Sequence, residues 1–323
     1  MINIKFKSTA EAQSQFVAAL RNNVGKYFQD KKISPKGNWE MKLKSAVMLG
    51  SYFLPLALLL AFPINGWLAL GLIFIAALGK AGVGMSVMHD AVHGSYSRKK
   101  WVNDLMSANM YLLGSNVFNW KIYHNVFHHT YTNIDGLDGD IASRGPLRLS
   151  QHVPAKKMHK FQYLYAFFLY GLLTLSKLGN DFRQLAAYNK NGITRAHRRS
   201  PAFEMAKMCV MKATYLFVFI GLPLLLTSFS IWQVLGGFFL MHFITGFILS
   251  TIFQLAHVVE GAEQPLQKTD GSIENEWMVH ELETTCNFAR NNHLLSWYTG
   301  GLNYQIEHHL FPHICHIHYR HIA

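Results

Sequence analysis

The sequence is short of charged residues. Only 15% of its 323 residues are Asp, Glu, Lys or Arg, and 50% are hydrophobic, whereas a soluble domain carries about 25% charged residues. The deficit is concentrated, because no charged residue occurs at positions 45–79 or 213–259. Each stretch could form two helices that cross a hydrocarbon core about 30 Å thick. This pattern excludes a soluble protein and predicts an all-α integral membrane protein with four transmembrane helices in two hairpins.

Acidic residues are scarce as well: there are 18, against 30 Lys and Arg, which gives a formal charge of +12. Such an excess could suggest a nucleic-acid-binding protein, but its placement indicates another cause. The two predicted hairpin turns, near 63–66 and 228–231, contain no Lys or Arg. This positive-inside pattern predicts that both termini and the central region are cytoplasmic. The positive charge is therefore expected to contact anionic membrane lipid and no nucleic acid.

Cysteine is rare: Cys209, Cys286 and Cys315 are the three in the chain, and none has CxxC spacing. All three fall on the predicted cytoplasmic side, so reduced thiols are expected. No charged-then-apolar run with a cleavage site opens the sequence, and no signal peptide is predicted.

We interpret residues 1–323 as a single domain. It consists of a cytoplasmic N-terminal segment at 1–44, spans at about 46–62, 66–88, 213–227 and 231–256, and a helical cytoplasmic cap at 89–212 and 257–323. The apolar segment 161–176 is short, and if it crossed the membrane it would place the basic stretches before and after it on opposite sides. We therefore interpret it as an interfacial helix.

Lys80 interrupts the second span. It either snorkels or faces neighbouring helices, or it lines a substrate or ion path.

Histidine is the residue present in excess, with 18 copies. Eight of them fall in four groups at one predicted membrane face: His89 and His93 in HDAVH, His124, His128 and His129 in HNVFHH, His257 at the end of the fourth span, and His308 and His309 in QIEHH. On an α-helix His124 and His128 share a face, and His129 points to a neighbouring one. An isolated HxxxH is usually chance, but groups collected at one face predict a metal site.

Eight imidazoles exceed the four ligands of a zinc site and suit two metal ions. Imidazole binds Fe, Zn, Cu and Ni, so ligand type alone does not choose the metal. The chain contains no Glu-x-x-His, which excludes the carboxylate di-iron site of ferritin-like bundles.

In this order and around these spans, HDAVH, HNVFHH and QIEHH resemble the three histidine boxes of the membrane fatty acid desaturases. The flanking WKIYHNVFHHTYTN and GGLNYQIEHHLFP strengthen the likeness, which covers about residues 66–319. Gln305, the first residue of the third box, resembles the front-end subfamily. Its members insert a cis double bond between an existing one and the carboxyl end, as Δ5 and Δ6 desaturases do.

The resemblance implies a di-iron centre, cycling between Fe2+ and Fe3+, with O2 as cosubstrate. The implied ligands are His89, His93, His124, His128, His129, His257, His308 and His309. Additional ligands, or residues that orient ligands, are expected among Gln305, Gln254, His316 and Asp138. Phe253 stands where related acyl-CoA enzymes have an asparagine that holds an iron-bound water, and Gln254 is a candidate substitute. Trp277, Thr284, Thr285 and Asn287 resemble a family stretch near the substrate entrance, for which packing or capping is an equal alternative.

The implied substrate is a fatty acyl-CoA or an acyl lipid. Electrons are expected from a separate ferredoxin or cytochrome b5, because residues 1–44 are too short for a fused cytochrome b5 domain and lack its HPGG motif. A bacterial inner membrane is favoured over the endoplasmic reticulum.

Two alternatives stay open at this point. A lipid hydroxylase or oxygenase would use the same di-iron scaffold. A metal-binding transporter or receptor would need more polar residues in mid-membrane than Lys80 and His242 provide.

Overall fold

The computed structural model describes residues 5–8, 10–142 and 145–323, and these are mostly helical. In chain order the elements are β1 (Lys5–Lys7), α1 (Glu11–Lys31), α2 (Trp39–Ala61), α3 (Gly66–Val92), α4 (Lys100–Ser107), α5 (Asn109–Leu112), α6 (Val117–Ile122), α7 (Gln162–Gly171), α8 (Leu173–Lys190), α9 (Ile193–Ala196), α10 (Pro201–Leu226), α11 (Ile231–His257), β2 (Ser272–Glu274), α12 (Trp277–Thr284), α13 (His293–Tyr298), α14 (Gln305–Leu310) and α15 (Tyr319–Ile322). Two short 3-10 helices cover Lys157–Phe161 and His316–His318.

Among the described residues, the four helices long and apolar enough to cross a membrane are α2, α3, α10 and α11. They form two hairpins and confirm the predicted fold class. They also cover nearly all of the four predicted spans, although α2 and α10 begin earlier, at Trp39 and Pro201. The division into span, N-terminal segment and cap stays a prediction.

Both hairpin turns are fixed by helix caps in the sequence. The Asn65 side chain accepts from the amide of Leu68 at 3.0 Å, which starts α3. At the start of α11, Ser230 and Gln233 exchange side-chain and backbone bonds in a capping box. Each cap satisfies amides that the first helical turn leaves without partners, so the chain reverses where the polar residues interrupt the apolar runs.

Helices α2 and α3 pack closely at Gly79. A Cβ there would lie 2.5 Å from the carbonyl carbon of Ser51 and from the amide nitrogen of Tyr52. Backbone atoms cannot move aside as a flexible side chain can, so this contact requires glycine.

Replacing Gly79 with valine should therefore destabilise the bundle. We expect a loss of about 1–3 kcal/mol or more in the free energy of unfolding, the range for overpacked cores. Thermal unfolding of the detergent-solubilised protein measures it. The matched control is Gly71→Val on the same helix, because a Cβ at Gly71 has no atom within 4 Å; equal loss in both variants would contradict the close contact.

The segment interpreted as interfacial forms α7 and the start of α8, and it packs against the middle of α11. Helices α7 and α11 approach each other at glycines, since a Cβ at Gly246 would lie 2.5 Å from the carbonyl oxygen of Gly171. Ser250 also donates to the carbonyl of Tyr170 at 3.2 Å. This segment is not among the four candidate spans, and its depth in the membrane stays a prediction.

Lys80 faces neighbouring helices. It is fully buried, and its Nζ donates to the Tyr215 hydroxyl at 2.8 Å and lies 3.1 Å from Nε2 of His242. Thr174 donates to the carbonyl of His242 and so accepts from its Nδ1, at 2.9 Å. This leaves Nε2 to accept from Tyr215 at 2.7 Å. The intramembrane polar groups thus bind one another, which favours the first of the two readings of Lys80 over an ion path.

The cap joins both ends of the chain. Strand β1 pairs in parallel with β2, with Phe6 opposite Ile273. Residues of α1 form a core with those of α12, α14 and α15 and with Tyr304, which directly precedes α14. The helical members include Val17, Val24, Phe28, Met278, Leu310 and Tyr319. This packing holds the third histidine box against the ends of α3 and α11.

Candidate metal centre

The four histidine groups meet at one end of the bundle and form two sets. Nitrogen atoms of His89, His93, His124 and His308 all lie within 4.8 Å of one another, and so do those of His128, His257 and His309. His129 lies between the sets and forms a third such group with His308 and His309. The chain thus brings together all eight histidines singled out from the sequence.

A π-helical turn shapes the second box. Helix α6 continues over Tyr123–His128 with five-residue spacing, closed by the amide of His129 donating to the carbonyl of His124 at 3.0 Å. The wider turn brings Nε2 of His129 within 3.2 Å of Nε2 of His124. The prediction that His129 lies on a neighbouring face assumed α-helical geometry, and the π-helical turn brings His129 closer to His124 than that geometry would. A second π-helical turn, Val83–Met88, directly precedes His89. Such turns are frequent at functional sites.

Six ring nitrogens of this cluster lack hydrogen-bond partners. Nε2 of His93, His128, His257, His308 and His309, and Nδ1 of His129, are all buried and unpartnered. One such group costs about 1–3 kcal/mol. Six such groups in and between the two adjoining sets of histidines are explained by ligation of metal, and the all-imidazole donor set suits Fe, Zn, Cu or Ni. The residues present fit a metal centre.

Electrostatics in the cluster favour neutral rings. Burial, followed by the repulsion of neighbouring imidazoles, holds the pKa values of His124, His129, His308 and His309 well below the usual 6.5. At neutral pH these rings are therefore uncharged. Neutral imidazole is the form that binds metal.

Asp138 orients His128. Its Oδ2 lies 3.0 Å from Nδ1 of His128 and accepts from the amide of Asn133 at 2.9 Å. Its Oδ1 accepts from the amide of Asp140, also at 2.9 Å. Burial lowers the pKa of His128, but the charges of Asp138 and Asp140 and the hydrogen bond to Asp138 outweigh it, so that the pKa is raised. The hydrogen bond to Asp138 places a proton on Nδ1, and a metal bound at Nε2 would replace the second proton that the raised pKa favours.

Glu281 does the same for the third box, and it was not predicted from the sequence. Its Oε2 lies 2.7 Å from Nδ1 of His309 and accepts from Thr132 at 2.9 Å. Burial raises the pKa of Glu281 well above 4.5 and lowers that of His309; a cation bound at Nε2 would instead favour the carboxylate. Tyr319, which sequence reasoning also missed, places its hydroxyl 3.2 Å from Nδ1 of His308. No local spacing could reveal Glu281, since 28 residues separate it from His309.

Three other residues that were predicted from the sequence to lie near the metal centre occupy different positions. Gln305 is buried against the side chain of His257. The Phe253 ring packs on those of His128 and His257, with centroids 5.1 and 4.8 Å apart, and the next residue, Gln254, has a buried Oε1 without a partner.

His316 joins neither histidine set. Its Nδ1 lies 2.8 Å from Oδ2 of Asp90, and its Nε2 lies 2.7 Å from Nζ of Lys44. Both ring nitrogens are therefore engaged, and this residue links the first box to the C-terminal segment. Cys315 donates to the same Asp90 oxygen at 2.9 Å.

The four residues resembling a substrate-entrance stretch all support the boxes. Trp277 donates from Nε1 to the carbonyl of His129 at 3.1 Å, and the carbonyl of Thr284 lies 3.4 Å from Nδ1 of His257. Thr285 donates to the carbonyl of Glu281. Asn287 accepts from the amide of Ile306 at 3.0 Å, next to Gln305. The packing alternative thus describes their contacts, and their role toward substrate stays a prediction.

Comparisons with known proteins agree with the motifs. The fatty acid desaturase family profile matches residues 65–323. A sn-1 linoleoyl-lipid 6-desaturase of Arthrospira platensis is 34% identical over 95% of this chain and 83% of its own length. The sn-1 linoleoyl-lipid 6-desaturase of Synechocystis sp. is 34% identical over 94% of this chain and 84% of its own. An acyl-lipid (8-3)-desaturase of Physcomitrium patens is 33% identical over 98% of this chain and 67% of its own.

Proposed function

This chain belongs to the fatty acid desaturase family, and from that premise we propose which metal it binds, through which residues, and on which lipids it acts. The predicted front-end desaturase function is confirmed: the protein is an integral membrane oxidoreductase that desaturates fatty acyl chains. The convergence of eight histidines into two sets is the structural observation that carries the rest.

We propose two iron ions. His89, His93, His124 and His308 would hold one, and His128, His257 and His309 the other, with His129 within reach of both. The unpartnered ring nitrogens and the neutral imidazoles support this assignment. When bound, iron supplies the O2-dependent redox chemistry that removes hydrogen from an unactivated methylene, which no side-chain acid or base can do.

The protein's own residues orient and enclose this centre. Asp138 and Glu281 hold protons on the far nitrogens of His128 and His309, which fixes the ring orientations. Phe253 covers two rings of the second set with an apolar surface. Burial of the cluster keeps bulk water from competing with the acyl chain.

For the substrate we propose an acyl lipid rather than an acyl-CoA, because the three relatives described above are named for linoleoyl-lipid or acyl-lipid desaturation. The new cis bond would lie between an existing bond and the carboxyl end, in a Δ5 or Δ6 manner. A separate ferredoxin or cytochrome b5 would supply electrons.

The chain would act as one domain in a bacterial inner membrane. The charge distribution supports cytoplasmic termini and a cytoplasmic histidine cluster.

Product analysis tests the reaction. A host that expresses the chain and is fed defined unsaturated acyl chains should make a product lighter by two hydrogens, with the new bond on the carboxyl side of the existing one. The matched control is the same host carrying the empty vector. A product heavier by one oxygen would indicate the hydroxylase alternative, and a new bond on the methyl side would contradict the front-end assignment. Separating lipid classes shortly after feeding then shows whether the product first appears on glycerolipid or on CoA.

A further inference from the structure

We propose that a buried ion pair, Lys212 with Asp181, sets the position of the second histidine box. Lys212 lies in α10, which contributes none of the eight histidines, and Asp181 lies in α8. The inference rests on the proposed function, because it concerns ligands proposed there. Lys212 and Asp181 would be positioning residues that act through helix α6.

The pair is enclosed and complete. Lys212 and Asp181 are 6% and 3% exposed. Nζ of Lys212 lies 2.7 Å from Oδ2 of Asp181 and also donates to the carbonyls of Gly114 and Lys177, both at 2.8 Å. Three acceptors for one ammonium satisfy all its protons. A lysine that only marked the membrane face would extend toward headgroups and water, so this one has another role.

Asp181 connects Lys212 to the start of α6. The same Oδ2 accepts from the amide of Asn116 at 2.9 Å, and the carbonyl of Asp181 accepts from the Asn119 side chain at 2.8 Å. Asn116 is the residue that caps α6, through a bond from the amide of Asn119. The first turn of α6 is thus held from two sides by one residue of α8.

The loop before α6 is equally constrained. Gly114 has φ +81°, and a Cβ there would lie 2.9 Å from Cε1 of Tyr215 on α10. The carbonyl of this glycine binds Lys212. Helix α10 therefore contacts the loop both through Tyr215 and through Lys212.

The contacts of Lys212 and Asp181 with the start of α6 affect the histidines because α6 runs without a break into its π-helical turn. His124 comes eight positions after Asn116, about 12 Å along the axis at about 1.5 Å per residue. A shift of the first turn is carried to His124, His128 and His129 as a rigid displacement. Metal ligation tolerates a change of only about 0.2 Å in bond length, so a small shift of these histidines would weaken metal binding.

A double variant, Lys212→Met with Asp181→Leu, tests this. It removes both charges together and leaves neither one buried alone, the change that folds best tolerate. Metal content of purified protein loaded with Fe2+ under anaerobic conditions should fall at least about twofold, and the visible absorption of Co2+-loaded protein should change. Turnover should fall about 10- to 100-fold, as for loss of residues that orient ligands, mainly in kcat with KM changed less than about threefold.

A second variant and a control accompany it. Asp181→Asn keeps an oxygen that can accept from Asn116 but leaves the buried Lys212 ammonium without its counter-charge, so its metal content should lie between those of the wild type and the double variant. Lys268→Met with Glu274→Gln removes an exposed ion pair, 50% and 58% exposed, on the rim of the cap, and should leave both readouts unchanged.

The outcomes separate the two proposals. Wild-type protein that binds no metal would overturn the proposed function itself. If the wild type binds metal and the double variant folds with unchanged metal content and Co2+ spectrum, the positioning role fails. A double variant that does not purify as a folded chain would assign the pair to the stability of the fold and also overturn the inference, as would metal content in Asp181→Asn equal to that of the wild type.

Discussion

Replacement of His128 with alanine should abolish desaturation while the chain still inserts as a membrane bundle. His128 belongs to the three-histidine set with His257 and His309, so the change removes one of few ligands and leaves the buried Asp138 without its partner. Changes next to a metal ligand already cost about 10- to 100-fold, and loss of the ligand should exceed that. We expect product below about 1% of the wild type and clearly reduced iron content.

The measurement pairs lipid analysis of expressing cells with metal analysis of the purified protein. His321→Ala is the matched control, because His321 is exposed near the C-terminal end and should have normal activity. Inserted His128→Ala protein that keeps both its iron and its activity would contradict the proposed centre.

The second large effect is expected at Glu281. Changing it to leucine removes the acceptor of Nδ1 of His309, at 2.7 Å, and of the Thr132 hydroxyl. The ring of His309 then loses the group that fixes its orientation and proton position. We expect metal affinity or kcat to fall about 10- to 100-fold.

Glu281→Gln separates orientation from charge. Its amide oxygen can still accept from Nδ1, so activity should lie between the wild type and the leucine variant. The control is Glu260→Gln, at an exposed site outside the cluster. Iron titration of the three purified variants decides; a leucine variant that binds iron as tightly as the wild type would show that Glu281 does not support His309.

Much of this protein follows from local sequence. The four long helices could be predicted because hydrocarbon tolerates only charge-free, internally hydrogen-bonded segments about 20 residues long, a condition each stretch meets or fails by itself. The histidine boxes could be predicted because metal ligation leaves residues of one type at short, regular spacing.

Other features depend on which elements meet. The shift of His129 toward His124 needed the π-helical turn, which hydrophobic spacing does not encode. Glu281 reaches His309 only because α12 packs against α14, and Asp181 reaches Asn116 across 65 positions. The contacts of Lys80 with Tyr215 and His242 could be identified only from the packing of three helices.

The sequence alone therefore determined the membrane bundle, the family and the histidines. Tertiary structure decided how the histidines divide into two sets and which buried carboxylates hold them. The physical reason is range: hydrophobic length and ligand spacing are properties of one segment, whereas a buried hydrogen bond of about 3 Å exists only after distant segments have packed.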